Sequence, residues 1–594
     1  MEIIHERIDD VPLIISYLIK NKVITIVDEH LKNHGNQNIL SNGEVTVIWL
    51  AYILSQGDHR KAHVADWVSQ HQIILSACIG KQVNVNNFTD DRLTRLLFRY
   101  SLDECWNLVE RDLAKITLAL IPVEHFLEPY FENNALDVIK GVFKLDGTSI
   151  TGYHEVSEDG LMQYGFSKDH RPDLAQIKLM SCVEGLSGCP IRSEIDCGNK
   201  NDDSMYEPIL DRMRETFSTN GFLYCGDSKM SLNKIRKNIV TNREFYLCPL
   251  ELSNSKTKKA FKEEWITDAV NGSKQIINIF DNDKIIAYGY EFERLEQDSK
   301  GDLQWHERVL VIKSLGYFES EKKRFDKSLT KIKDEISKLS SKLCKDLEEA
   351  KKHLETSIEG KFNKLENLKD FFEIEYEMKE IVKTYKRTEL RKGVTKREGS
   401  YDIKRYKLCV KKIIISEQKR EEYLSKIGWR PFVTNVPKNL LSFANAYSYY
   451  RKTQYVIESG FHMLKADPVG IRPLFVWRDD QIKGLIRFLG LGVHFQKIMS
   501  LELMIALRKN NEEIMGLTAG QPKRKTPTPT AISVLSYFSR SGINFSGIKI
   551  NNVWENIISP LPEVCLKILN LLGLNEDTYE KLKIWQIQNK GLEN

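Results

Sequence analysis

At 594 residues the chain is too long for a single hydrophobic core, so several domains are expected. Its 41% hydrophobic and 28% charged residues are the balance of an ordinary soluble protein. A formal charge of +5 is too small to argue for nucleic-acid binding by itself, so the local distribution of charge has to carry that case.

Ten cysteines are scattered singly, without a CxxC pair, which argues against a zinc site or a disulfide framework and suits a reducing cytoplasm. Glu2, Glu6, Asp9 and Asp10 fall where a signal peptide would need an apolar core. No uninterrupted apolar run is long enough to span a membrane, and no membrane partner is expected.

Residues 1–136 read as a helical N-terminal domain. Val45 to Leu54 is an apolar helix opened by Ser41-Asn42-Gly43-Glu44 as a cap. Thr89-Asp90-Asp91 opens another, in which Leu93, Leu96 and Leu97 keep helical spacing. Arg60, Lys61 and His63 suit either phosphate contacts or a solvated face.

From Gly141 the pattern changes to strands. Val142, Phe143 and Leu145 run into Asp146-Gly147-Thr148-Ser149, where Asp146 either presents a carboxylate from a rigid sheet or begins a turn. Phe166 to Gln176 then packs Lys168, Asp169, His170, Arg171 and Asp173 around one proline, a polar cluster better explained by a ligand than by packing. Lys178–Val183, Pro190–Ile195, Phe222–Cys225 and Phe245–Cys248 read as further strands, with helices at Ser204–Phe217 and Lys234–Ile239. Phe222-Leu223-Tyr224-Cys225-Gly226-Asp227 repeats the opening theme of an apolar strand ending in aspartate. Three antiparallel strands followed by helix–strand alternation is the element order of an RNase H-like α/β fold, expected in two parts, 137–252 and 428–515.

Between them, residues 253–427 read as an insertion domain. Gln275–Phe280 and Lys284–Phe292 form a hairpin around Asp281-Asn282-Asp283, and His306–Ile312 a third strand, with Trp305 just before it. Phe325, Leu329, Ile332, Ile336, Leu339 and Leu343 space themselves as a coiled-coil seam, closing either an antiparallel helical hairpin or a dimer. Lys383 to Lys412 is strongly basic, with Lys386, Arg387, Arg391 and Lys392 among interleaved tyrosines; the composition suits a nucleic-acid backbone or a charged solvated loop. Gly428–Asn435 reads as a strand, Tyr447–Lys465 and Ile482–Ile505 as helices, and Ile471–Trp477 as extended. Residues 516–594 read as a proline-broken linker and a small helical tail.

Asp146-Gly147-Thr148-Ser149, the GFSKDHRPDLAQ block, Gly198-Asn199 with Asp202, and Gly226-Asp227-Ser228 resemble the DDE transposases of bacterial insertion sequences. The match is to the insertion-sequence-four superfamily, in its sixteen-thirty-four branch, and runs to about residue 510. VIESGFHMLKADPVGIRPLFVW resembles that branch's glutamate-bearing helix. The resemblance implies Asp146, Asp227 and Glu458 as catalytic metal ligands, with Lys465 as the family's lysine seven residues after the glutamate. The superfamily's Tyr and Arg, seven and four residues before the glutamate, are here Arg451 and Gln454, so Tyr450 and Arg451 would stand in with a shifted register. Val476 replaces the histidine that often precedes Trp477.

The implied chemistry is strand cleavage and strand transfer with two Mg²⁺ ions about 4 Å apart, Mn²⁺ being able to substitute. Three converging carboxylates without metal would raise one another's proton affinities. The implied partners are double-stranded DNA, as element ends and target, and a second copy of the chain in a dimeric complex; the expected location is the bacterial cytoplasm at the nucleoid. Lys168, His170, Arg171, Tyr450, Arg451 and Lys465 are the expected phosphate contacts near the acids. Trp305 is a candidate for stacking on a displaced base or a core residue. The competing readings are an inactivated transposase-derived DNA-binding or scaffold protein and an RNase H-like nuclease of another class.

Overall fold

The computed structural model describes residues 2–32, 40–121, 129–132, 135–217, 219–252, 255–362, 366–389, 397–551 and 553–585. The chain divides into two units, one of Met1–Glu251, Arg294–Arg308 and Val433–Asn594, the other of Leu252–Glu293 and Val309–Phe432.

The first unit is built on five strands: β1 (Gly141–Gly152), β2 (Ala175–Glu184), β3 (Pro190–Cys197), β4 (Phe222–Cys225) and β5 (Phe245–Pro249). Their order is β3-β2-β1-β4-β5. β1–β2 and β2–β3 pair antiparallel, whereas β1–β4 and β4–β5 pair parallel. The parallel crossovers are helices, Tyr206–Thr216 and Asn233–Thr241, as buried parallel strands require. This topology, with the second strand reversed, is the RNase H-like core that the element order led us to expect.

Around the sheet lie the N-terminal helices and the long helices Phe443–Lys465 and Asp479–Asn510. Ser41 and Glu44 cap Asn42–Gln56 reciprocally, as their spacing predicts. Helix Asp479–Asn510 crosses helix Asp90–Ser101 so closely that a Cβ on Gly484 would lie 2.0 Å from the Leu97 carbonyl oxygen. By length and composition Asp479–Asn510 could cross a membrane, but 67% of its apolar window is buried in the protein.

The C-terminal segment departs from the expected helical tail. After helix Ala531–Arg540, strands Asn544–Ile550 and Val553–Ile558 form a three-stranded sheet with Glu2–Arg7. Tyr579 donates its hydroxyl to the Asp9 carbonyl at 2.6 Å, so both ends of the chain share one layer. Phe545 and Gly547 face inward with Ser546 between them, and the left-handed Asn551 turns the hairpin.

In the second unit the heptad seam closes an interior within one chain. Phe325, Leu329, Ile332 and Ile336 on helix Leu315–Ile336 pack with Leu354, Ile358 and Phe362 on helix Leu347–Phe362. The helix stops at Ile336, short of the expected Leu343. There the serine-rich segment turns onto a neighbouring strand, with Ser341 N donating to Leu408 O (2.8 Å) and Cys344 N to Tyr406 O (2.9 Å). That strand belongs to a long antiparallel hairpin, Phe372–Glu389 with Arg397–Ile415, where the sequence suggested a basic stretch or loop. The alternation of Phe372, Ile374, Tyr376 and Met378 with Glu was the available strand signal; beyond Glu380 charged residues fall on both faces and the period of two is lost.

Candidate functional site

Lys144 on β1 is paired with Cys225 on β4, and the strands run parallel. Asp146 and Asp227 each follow two residues later, so the two carboxylates stand side by side, Asp227 just past the end of β4 but Asp146 midway along β1, which continues to Gly152 instead of ending at the aspartate as expected. Asp227 Oδ1 accepts hydrogen bonds from Tyr206 Oη (2.8 Å) and Lys229 N (2.9 Å), which fix it at the head of a short helical turn. Asp146 Oδ1 accepts from Gly147 N (2.7 Å) and faces Lys168 Nζ at 3.4 Å.

The helix Phe443–Lys465 is fastened across β1 at two points. Tyr450 Oη donates to the Gly226 carbonyl at 3.2 Å, and Lys144 Nζ donates to the Tyr450 carbonyl at 3.3 Å. One side of a small cleft is formed by Lys144, Asp146, Gly226 and Asp227, the other by Tyr450 and Gln454. Further along, Lys465 Nζ donates to Thr148 Oγ1 at 2.6 Å. Glu458 lies between these fastenings, exposed, with its Oε1 accepting from Gln454 Nε2 at 3.3 Å.

The electrostatics tie the acids together. Burial raises the proton affinity of Asp146, and the Asp227 charge adds to it while Lys168 opposes it. Burial pushes the Lys144 ammonium down to about 8, although Cys225, Glu458 and Asp146 all favour its charge. Lys168 moves the other way: burial opposes its charge, but Asp146 and Asp202 outweigh it.

Lys168, expected to face phosphate, is instead held among carboxylates. Its Nζ reaches the Gly147 carbonyl at 2.6 Å and Asp202 Oδ2 at 3.0 Å. Asp202 is also paired with the buried Lys178 at 3.3 Å. Lys465 pairs with Asp169 at 2.9 Å, and Arg472 grips the other oxygen of that carboxylate. Arg451, His170 and Arg171 are exposed, Arg171 being paired with Asp173 at 2.6 Å. Trp305 is buried, donating Nε1–H to the Tyr246 hydroxyl at 3.0 Å beneath Arg236, so it is a core residue here. Lys386 is exposed on the second unit's hairpin; the Arg387 side chain, Arg391 and Lys392 lie outside the described residues.

Asp169 and Asp202 stood in the motifs without an assigned role, whereas Tyr206, Lys144, Lys178 and Arg472 carried no sequence expectation. Polar residues inside otherwise apolar strands, as in VFKLD and QIKLM, were the available signal.

Hard carboxylate oxygens on adjoining strands fit a divalent cation, and the ammonium drawn between Asp146 and Asp202 shows that the cluster attracts positive charge. Glu458 is not drawn into a closed set. Among the described residues, only Glu29, His30 and Asp112 bring three potential ligand atoms within 4.8 Å of one another. That trio is explained by ion pairs, since Asp112 also binds Arg111 (3.1 Å) and Lys115 (3.0 Å).

Residues 139–476, more than half of the chain, match the family described as the transposase DDE domain. The chain belongs to that family. It is therefore a transposase by descent, of a kind that works on DNA with divalent metal ions. No curated protein matches the chain. Among solved structures, the piggyBac transposase synaptic complex with hairpin DNA is similar at 8% identity, over 89% of this chain and 77% of that one, with a TM-score of 0.31. So loose an overlay adds nothing to the assignment.

Proposed function

We propose that this protein is the DNA transposase of a bacterial insertion sequence of the insertion-sequence-four superfamily, sixteen-thirty-four branch. It binds the element's terminal inverted repeats as a dimer and moves the element by cut-and-paste. The observation that carries this reading is Asp146 within one strand and Asp227 just past the end of its parallel neighbour, beside a helix that bears Glu458 and is fastened to Lys144 and Gly226.

Asp146, Asp227 and Glu458 would hold two Mg²⁺ ions. When bound, the ions supply charge neutralisation at the cut phosphate and an activated oxygen nucleophile. Asp227 is oriented for this by Tyr206 and the Lys229 amide, and Asp146 by the Gly147 amide. Lys168 is the counter-ion of Asp146 and would stay tied through Asp202 were a metal held at Asp146. Asp169 holds Lys465 and Arg472 together beside Thr148, which sets the Glu458 helix and places two cations along the phosphate path. In the second unit, exposed Lys386 and the stacked Tyr385–Tyr401 pair (5.9 Å) form a basic, aromatic hairpin surface for the DNA backbone.

The test is to incubate the purified protein and Mg²⁺ with duplexes copied from the inverted repeats flanking its gene. Cleavage at the repeat ends, and joining of those ends to a target plasmid, is the expected result. Repeat binding without cleavage under Mg²⁺ or Mn²⁺ would instead identify an inactivated, DNA-binding derivative.

A further inference from the structure

The segment that reads as a proline-broken linker is fastened at many points. Ile514–Met515 pairs antiparallel with Lys525–Thr526, and left-handed Gly516 donates its N–H to the Arg524 carbonyl at 3.0 Å. Gln521 N donates to the Thr518 carbonyl and Arg524 N to the Gln521 carbonyl, both at 3.1 Å. Ile514 and Leu517 are buried in the first unit's core. Neighbouring helices hold the base: Arg540 Nη2 donates to the Leu517 carbonyl at 2.7 Å, Lys567 Nζ to the Glu513 carbonyl at 3.1 Å, and Ala531 N to Ser500 Oγ at 2.8 Å. Pro527 and Pro529 restrict the backbone that leads on into helix Ala531–Arg540.

What this fastened turn carries outward is charge. Lys523, Arg524 and Lys525 are consecutive and exposed. Arg524 reaches only the neutral Gln521 side chain, at 3.3 Å, and among the described residues no carboxylate pairs with any of the three. The cations at the base of the turn behave differently: Lys567 is paired with Glu512 at 2.6 Å, and Arg540 is held by a carbonyl. Like charges side by side repel one another, and a fastened backbone limits how far they can spread. Exposed cations gain little from a single small anion. A nucleic-acid backbone instead releases condensed counterions at each contact, and the gain grows with the number of contacts. The turn lies beyond residue 476, where the transposase domain ends.

We infer that Lys523, Arg524 and Lys525 form an additional grip on the phosphate backbone of duplex DNA, in a part of the chain outside the transposase domain. This rests on the transposase reading above. Phosphate contacts carry no base information, so the turn holds element ends and unrelated duplex alike, adding affinity and not specificity.

The test follows the anisotropy of a fluorescein-labelled duplex of arbitrary sequence as salt rises from about 50 to 200 mM. It compares the full-length wild type, a triple variant carrying K523Q, R524Q and K525Q, and a charge-keeping variant carrying K523R and K525R. All three proteins should melt together, because the altered side chains are exposed. The triple variant should bind about tenfold or more weakly, with a log–log salt slope shallower by about 0.9 for each lost contact. The charge-keeping variant should match wild type. An unchanged slope in the triple variant would overturn the proposal, as would equal weakening by the charge-keeping variant, since charge would then not be what binds. Loss of binding to phosphatidylglycerol vesicles, with duplex binding intact, would assign the turn to a lipid surface and also overturn it. Cutting of repeat ends in Mg²⁺ separates the two levels. A shallower slope on arbitrary duplex, with no cutting by wild type, would sink the transposase reading and leave the grip. Normal cutting with an unaltered slope would sink the grip alone.

Discussion

In the second unit, Phe325, Leu329, Ile332, Ile336, Leu354 and Ile358 close an apolar interior while their neighbours Lys323, Lys327, Lys331 and Lys333 face water. The first unit does the reverse with polar residues of its strands and crossover helix. Lys144, Lys178, Arg236 and Glu307 are all buried there. Glu307 alone is met by Arg236, by Tyr246 Oη at 2.5 Å and by Arg294 Nε at 2.7 Å. Burying charge is unfavourable unless it is paired, and an apolar interior of similar volume is often at least as stable. The helix–hairpin unit is organised for stability. The acid-bearing sheet keeps groups whose value is chemical.

That contrast can be broken first at the acids. Asp227→Ala should abolish Mg²⁺-dependent cutting, a loss of several orders of magnitude, while repeat binding and the folded circular-dichroism spectrum persist. Retained cutting would remove Asp227 from the chemistry. On the other side, Leu354→Ala leaves a cavity in the apolar interior and should lower stability by about 2–5 kcal/mol in a denaturant titration. Its effect on Mg²⁺ binding should be nil. An unchanged midpoint would mean the seam is not a packed core.

Lys144 sharpens the comparison through pH. Its folded value of about 8 lies below the ordinary 10.5, so between those values the unfolded chain holds a proton that the folded chain has lost. Stability therefore rises with pH across that window, and the penalty is complete below about 8. Lys144→Met should raise the melting temperature of the metal-free protein at pH 7, with the gain shrinking as pH rises towards 10.5. A gain independent of pH would assign the effect to packing alone. The smallest effect is expected from the hairpin. Lys383→Gln with Lys386→Gln should flatten the salt dependence of DNA binding by about 0.9 in log–log slope per lost phosphate contact. An unaltered slope would leave these lysines as a solvated face.

How much was legible in the sequence follows the same division. Apolar periodicity exposed the five strands, both crossover helices and the seam, because each buries a continuous stripe. Asp146 and Asp227 were visible because each follows an apolar run beside a glycine, although β1 continues through Asp146 to Gly152 where a turn could have been read. The Phe372–Ile415 hairpin was legible only in the alternation of Phe372 to Met378, since beyond Glu380 charged residues occupy both its faces. The partners of Asp202 and Asp169 were not legible, because Lys178 in a strand, Lys465 on a helix, and Lys168 and Arg472 in loops look the same in sequence whether they face solvent or a distant carboxylate. Trp305 illustrates the converse: an aromatic residue before a strand gave no sign that Tyr246 and Arg236 would enclose it.

The central claim is that Asp146, Asp227 and Glu458 serve one metal site although Glu458 stands apart on its helix. Iron-directed cleavage tests it most directly. Fe²⁺ is bound in place of Mg²⁺ on the repeat-end complex, and hydroxyl radicals generated at the metal cut the nearby backbone. The account predicts peptide breaks near residues 146, 227 and 458 together, all suppressed by excess Mg²⁺. Breaks near 146 and 227 without 458, or clustered instead around His30 and Asp112, would contradict it.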